Sequence, residues 1–428
     1  MKISKVYAQE ILDSRGNPTI EAITILQDGS QGWAAIPSGA STGKYEAVEL
    51  RDQNPQRYNG QGVLKAVENV NTKIAGAVVG LNAENQEKLD QTTIDLDGTE
   101  NKTNLGANSI LSVSLSASRA QAASEKKGLY QYLTKFNPDF NGTYVMPIPE
   151  MNVMNGGKHA NWATDIQEYM LFPIGAKSVV EAIRMNAEVY QVLKGIIKYK
   201  GYAITIGDEG GFAPNVSSNE EPFQLLSQAI DKVGYSLGKD IAFGIDAAAS
   251  EFYKDKKYKL NKEGTTVDSD GLSDFLKQLA NKYPIISMED IFAEDDWGAF
   301  QKFTASVGNK TQIVGDDLYV TNVKRLQKGI DNKTTNSILI KLNQIGTLTE
   351  TVNAILLARK NNMASIISHR SGETEDTFIA DFTVAMGTGQ IKTGAPARSE
   401  RVAKYNRLMR IERQLGDKAV YASFPFRK

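Results

Sequence analysis

The chain has 428 residues, too many for one ordinary domain, and its 41% hydrophobic and 23% charged residues are the composition of a globular protein with a sizeable core. Lys and Arg total 49 against 50 Asp and Glu, which excludes nucleic acid or an anionic membrane as the main partner. The absence of cysteine excludes disulfides and thiolate metal sites and fits a cytoplasmic home, two histidines are too few for a three-histidine metal site, and no run approaches the ~20 apolar residues of a membrane span.

Residues 1 to 36 alternate apolar and polar positions between turns at Arg15-Gly16-Asn17-Pro18 and Asp28-Gly29-Ser30, the pattern of a three-stranded antiparallel meander. The following Pro37-Ser38-Gly39-Ala40-Ser41-Thr42-Gly43-Lys44 has little to pack and reads as a loop. It is not a phosphate-binding P-loop, because three residues separate Gly39 from Gly43 and Tyr45 stands where Ser or Thr is required. Val63, Ala66, Val67, Val70, Ile74 and Val78 recur at helical spacing, and a second helix is expected to start near Ile110. Asn137 to Gly142 is turn-rich and marks a boundary, giving an α+β domain over 1–138 and a second domain over 139–428.

The second domain opens with two strands, from Met146 and from Ile166 to Phe172, joined without a helix, so an antiparallel pair is expected first. Helices are predicted at about 177 to 200 and 219 to 236, and between them lies Gly207-Asp208-Glu209-Gly210-Gly211, an acidic, glycine-rich stretch whose composition reads as flexible. From 241 onward strands and helices alternate, and Ser399 to Leu415 is predicted to be a basic helix. Lys254-Asp255-Lys256-Lys257 reads as a solvated loop.

Within that alternation one pattern repeats. Apolar runs end in Asp246, Glu289, Asp316, Lys341, His369 and Lys392, with steps of 43, 27, 25, 28 and 23 residues between the ends. After the first, each step leaves room for one helix and its loops, the length of a βα unit in a parallel barrel. A single lysine at a strand end snorkels into solvent more often than it reacts. Six ionisable groups in series instead mark the C-terminal face, where barrel enzymes keep their chemistry.

Asp246, Glu289 and Asp316 end successive strands and converge. Carboxylates so close repel unless they take up protons or a cation, and oxygen donors without cysteine favour Mg²⁺. Pairing of one carboxylate with Arg or Lys is the ordinary outcome; for three in register the metal is favoured. Burial and positive neighbours are expected to depress the pKa of Lys341 or Lys392, either of which then serves as general base. Glu209 and Glu168 are the candidate acids. Together these groups describe removal of a proton α to a carboxylate followed by loss of a β leaving group.

Several ordered motifs carry a resemblance. Ala8-Gln9-Glu10-Ile11-Leu12-Asp13-Ser14-Arg15-Gly16-Asn17-Pro18-Thr19, Ser38-Gly39-Ala40-Ser41-Thr42-Gly43, Gly207 to Gly211, Ile338-Leu339-Ile340-Lys341-Leu342-Asn343-Gln344-Ile345-Gly346-Thr347 and Ser368-His369-Arg370-Ser371-Gly372-Glu373-Thr374-Glu375-Asp376 together resemble the enolase family over nearly the whole chain. Enolase-superfamily sites use a lysine or histidine base with Mg²⁺. The resemblance implies a small α+β domain followed by an eight-stranded TIM-like α/β barrel with an irregular ββαα start. It implies reversible dehydration of 2-phosphoglycerate to phosphoenolpyruvate, with Lys341 as base and Glu209 as acid supported by Glu168. Asp246, Glu289 and Asp316 would hold one Mg²⁺, and Ser41 would help bind a second. Arg370 and Ser371 would clamp the phosphate, Lys392 the carboxylate, and His159, Gln167 and His369 would line the pocket. A homo-oligomer, dimer or octamer, and a cytoplasmic location with a surface or secreted fraction also follow by family analogy.

This chain departs from the family at Ala160-Asn161-Trp162-Ala163-Thr164, where an Asn-rich loop is usual, and at Glu150, where the family carries an apolar residue. The competing classes are a binding or scaffold protein that kept the fold, and a lyase acting on another phosphorylated hydroxy acid. Retention of Lys341, Glu209 and all three metal ligands disfavours the first. For the second, the Arg370-Ser371 pair argues for a phosphorylated substrate.

Overall fold

A computed structural model of the chain describes residues 1–40 and 43–426, except for the side chain of His159. The meander forms as expected: β1 (Ile3–Leu12), β2 (Pro18–Leu26) and β3 (Gln31–Ala35) pair antiparallel in the order β1-β2-β3. Alternation along β2 turns Ile20, Ala22, Thr24 and Leu26 inward. The layer that covers them is α1 (Ala107–Ser124), whose residues are small and buried on almost every side. Small residues are needed here: a Cβ on Gly32 would lie 2.2 Å from the Ser116 carbonyl oxygen and 2.3 Å from the Ala120 nitrogen. The serine hydroxyls of this buried helix are satisfied locally, as when Ser112 donates to the Ser109 carbonyl at 2.8 Å, or across the layer, where Thr24 and Ser116 share a 2.8 Å bond.

The barrel is built from β4 (Ile148–Asn155), β5 (Glu168–Phe172), β6 (Ala242–Asp246), β7 (Ile285–Glu289), β8 (Gln312–Gly315), β9 (Ser337–Ile340), β10 (Ala364–Ser368) and β11 (Gln390–Lys392). It closes in the order β7-β8-β9-β10-β11-β4-β5-β6. β5 runs antiparallel to both neighbours and the other pairs are parallel, so the irregular start is as expected. Two helices, α2 (Val179–Tyr199) and α3 (Glu221–Val233), separate β5 from β6. The longer step between Asp246 and Glu289 is filled by a small antiparallel sheet of Tyr253–Lys254, Lys257–Leu260 and Thr265–Val267. The charge cluster at 254–257 is therefore a hairpin and not a plain loop, with Asp255 and Lys256 at positive φ in its turn.

The closing helix α4 (Ser399–Leu415) is basic in sequence, yet Arg401 and Lys404 are wholly buried and serve the site instead of solvent. Beyond it, Ala419–Tyr421 pairs in parallel with Tyr144–Met146. Phe424 then seals the far end of the barrel against Ile148, Met170, Phe172 and Ala242, with its ring 5.9 Å edge-on from Phe172. Phe424→Ala should cost about 3 kcal/mol by chemical denaturation, the ordinary penalty for emptying a buried aromatic site. A loss under about 1 kcal/mol would show that the tail does not seal the core.

Candidate active site

Inward positions alternate along every barrel strand, and the last inward residue of each stands at the C-terminal rim. Asp246, Asp316, Lys341, Ser368, Lys392 and, on antiparallel β5, Glu168 therefore line one mouth, which Glu289 reaches through its ion pair with Lys392. Lys392 Nζ lies 2.9 Å from Glu289 Oε1, 3.0 Å from Glu168 Oε2 and 3.4 Å from Asp246 Oδ2. Lys341 Nζ lies 2.5 Å from Asp316 Oδ2, and Gln344 donates to Asp316 Oδ1 at 2.9 Å. Lys341, at the end of β9, faces Glu168 on β5 across the barrel, four strands away in either direction.

Charge at this mouth does not balance. Among the described residues, Glu168, Glu209, Asp246, Glu289, Asp290, Asp316 and Asp317 surround only Lys341, Lys392 and Arg370. Burial, reinforced by neighbouring carboxylates, pushes Glu168, Glu289, Asp290 and Asp317 well above the usual carboxylate range. Asp316 is lowered: burial opposes this, and Lys341 outweighs it. The two lysines are raised, because burial favours their neutral forms but the acids against them prevail. This reverses the depression read from the sequence, which counted positive neighbours and burial without the opposing carboxylates.

Hard oxygen donors carrying surplus negative charge fit a divalent cation such as Mg²⁺. The tightest acidic group among the described residues is Asp290, Asp316 and Asp317, with one oxygen from each within 4.8 Å of the others. Asp246 and Glu289 stand at the same rim, with Lys392 between them. Asp290 was missed from sequence. Its carboxylate accepts the backbone N–H groups of Asp316 and Asp317 at 2.9 and 2.8 Å, so it aims the next strand's acid into the mouth.

On the basic side, Arg370 Nη1 lies 2.9 Å from both Glu46 Oε2 and Asn343 Oδ1. Glu46 belongs to the N-terminal domain, and nothing in its local sequence announces this contact. The loop before it docks on the turn after β10: Ser38 and Gly372 exchange backbone bonds at 2.7 and 2.8 Å, and the Ala40 N–H donates to Ser371 Oγ at 3.1 Å. Ser41 lies outside the described residues, as does the side chain of His159.

On the acidic side, Gln167 just before β5 and Glu168 at its start are buried, with Gln167 Nε2 3.5 Å from Asp246 Oδ2. Glu209 is not on a loose loop, despite its glycine-rich surroundings. It is buried, accepts from Asn152 Nδ2 at 3.0 Å, and lies 3.5 Å from His369 Nε2. His369 is fully enclosed, and burial holds its pKa down to about 4. Trp162, the bulky departure, is 37% exposed at positive φ and does not line the cleft.

Residues 3–133 match the family model for the N-terminal domain of enolase, and residues 143–428 match that for the enolase C-terminal TIM barrel domain.

Glu150 has no counterpart in this chemistry. It is 1% exposed, on β4 beside Lys392 in register, and its Oε1 has no hydrogen-bond partner. Lys392 is the charged group that faces it; burial nevertheless raises its pKa to about 8. The folded protein thus holds this proton more tightly than the unfolded chain, where the value is near 4.5. Its stability penalty is absent below the unfolded value, grows as pH rises, and levels off above the folded one. Glu150→Gln should therefore gain stability over the parent by up to about 1.4 kcal/mol per pH unit between roughly pH 5 and 8. Denaturant titrations across that range check it; a difference that does not change with pH would refute the assignment.

Proposed function

The chain belongs to the enolase family, and on that premise we propose that it catalyses the reversible, Mg²⁺-dependent dehydration of 2-phosphoglycerate to phosphoenolpyruvate. The observation that carries this reading is the division of the barrel mouth into a wall with Lys341 and an opposite wall with Glu168 and Glu209. An elimination that takes a proton from one carbon and expels hydroxide from the next, on the opposite side, needs a base and an acid disposed in this way.

In this reading Lys341 takes the C2 proton as its neutral amine, a form that Asp316 opposes while the two are paired and that engagement of this carboxylate by a cation would favour. Glu209 gives a proton to the departing C3 hydroxyl, with Glu168 buried beside it in the same acidic group. Arg370, a planar fork suited to phosphate oxygens, and Ser371 hold the phosphate, while Lys392 holds the carboxylate. Glu46 and Asn343 fix the Arg370 guanidinium in the plane it needs. Mg²⁺, held by Asp246, Glu289 and Asp316, with a second ion aided by Ser41, would neutralise the negative charge that grows on the substrate carboxylate. His159, Gln167 and His369 complete the pocket. The exposed position of Trp162 gives no reason to prefer a different phosphorylated substrate.

Phosphoenolpyruvate absorbance should rise when 2-phosphoglycerate is added with Mg²⁺ and stay flat with a chelator; no metal-dependent product would refute the proposal. Lys341→Ala should slow exchange of the C2 proton with solvent by about 10³-fold, within the range for a lost general base. Glu209→Gln should leave that exchange largely intact while dehydration falls about 10²-fold or more. Equal exchange in the two variants would show that base and acid are wrongly assigned.

A further inference from the structure

The acid wall is held from behind by a side chain that takes no part in the chemistry above. Arg401, in the first turn of α4, is wholly buried. One guanidinium nitrogen, Nη1, lies 2.6 Å from His369 Nδ1 and donates to the Arg370 carbonyl at 2.6 Å. The other, Nη2, donates to the Ser371 carbonyl at 2.6 Å and to the Asp208 carbonyl at 3.1 Å. The loop that carries Glu209 and the turn that carries Arg370 and Ser371 are thus joined through one planar cation.

We propose that Arg401 is a positioning residue that locks His369 in the Nε2–H tautomer and so presents a fixed hydrogen-bond donor to Glu209. A guanidinium has five donors, no acceptor and no accessible neutral form. The His369 nitrogen it faces must therefore offer a lone pair, which leaves the ring proton on Nε2. A second proton on Nδ1 would point directly at the guanidinium, so the imidazolium form is opposed by geometry as well as by burial. Nε2 is buried without a hydrogen-bond partner and stands 3.5 Å from Glu209 Oε2, the oxygen that already accepts from Asn152. The Asn152 bond fixes that oxygen, and a proton on Nε2 would face it as a second, longer polar contact that favours the same orientation of the carboxyl. Arg401 acts only through His369 and the three carbonyls. The identity of Glu209 as the acid rests on the dehydratase reading, whereas the tautomer does not.

The test uses the full-length protein labelled with ¹⁵N-histidine. Only His159 and His369 contribute signals, and a His159→Gln sample assigns them. Long-range ¹H–¹⁵N correlation should show His369 as the Nε2–H tautomer, unprotonated from pH 8 down to pH 5. Arg401→Lys, which keeps the charge but loses the fork, should shift His369 to a tautomer mixture. The same variant should lower dehydration about 10-fold while C2 exchange, driven from the opposite wall, changes less than 2-fold. An Nδ1–H tautomer, or protonation near pH 6, in the parent protein would overturn the proposal even if Arg401→Lys does not fold. A folded Arg401→Lys protein with an unchanged tautomer would overturn it equally. Absence of dehydration in the parent protein would refute the dehydratase reading and leave the tautomer result standing.

Discussion

Surplus negative charge in a buried barrel mouth is the constraint on which the rest of this structure depends. Carboxylates removed from water repel one another strongly, and two lysines and one arginine do not neutralise them. The protein meets this with fixed local pairing: Lys341 against Asp316, Lys392 among Glu168, Asp246 and Glu289. The remaining imbalance is suited to a divalent cation.

Holding such a mouth open needs a rigid frame, and much of the frame comes from outside the barrel. The N-terminal domain supplies Glu46 to Arg370 and the Ser38 backbone to Gly372. It is anchored by Arg119, which lies against Asp376 with its Nη1 2.7 Å from Oδ2 while the Ala35 N–H donates to the same carboxylate at 3.0 Å. On the other flank, Lys404 donates to Glu373 Oε2 at 2.7 Å and to the Thr374 carbonyl at 2.6 Å, beside the Arg401 bonds one turn earlier. Buried charge used in this way stabilises one arrangement of loops, because any other leaves a cation without acceptors.

Local pattern was a good guide wherever a side chain's role follows from its place on a strand. Alternation on β2 and the apolar runs of β6 to β11 give the meander, the barrel and the inward ends. The guide failed where distant residues decide the environment. Composition made Gly207 to Gly211 read as flexible, but Tyr190 donates to the Gly210 carbonyl at 2.7 Å and Arg401 to that of Asp208. The 254–257 cluster read as a loop, because a two-residue turn between strands of two and four residues leaves almost no periodicity.

The sequence by itself determined the barrel, its irregular start, the enolase resemblance, and which ionisable residues stand at strand ends, because period and spacing are local properties of the chain. Only the tertiary structure decided what charge those residues carry and what holds them. The lysine pKa values depend on carboxylates more than 20 residues away in the chain. Glu46, Asp290 and Arg401 earn their places through contacts with other loops, strands or the other domain, and no window of sequence contains both partners of such a contact as Glu46 with Arg370 or Arg401 with His369.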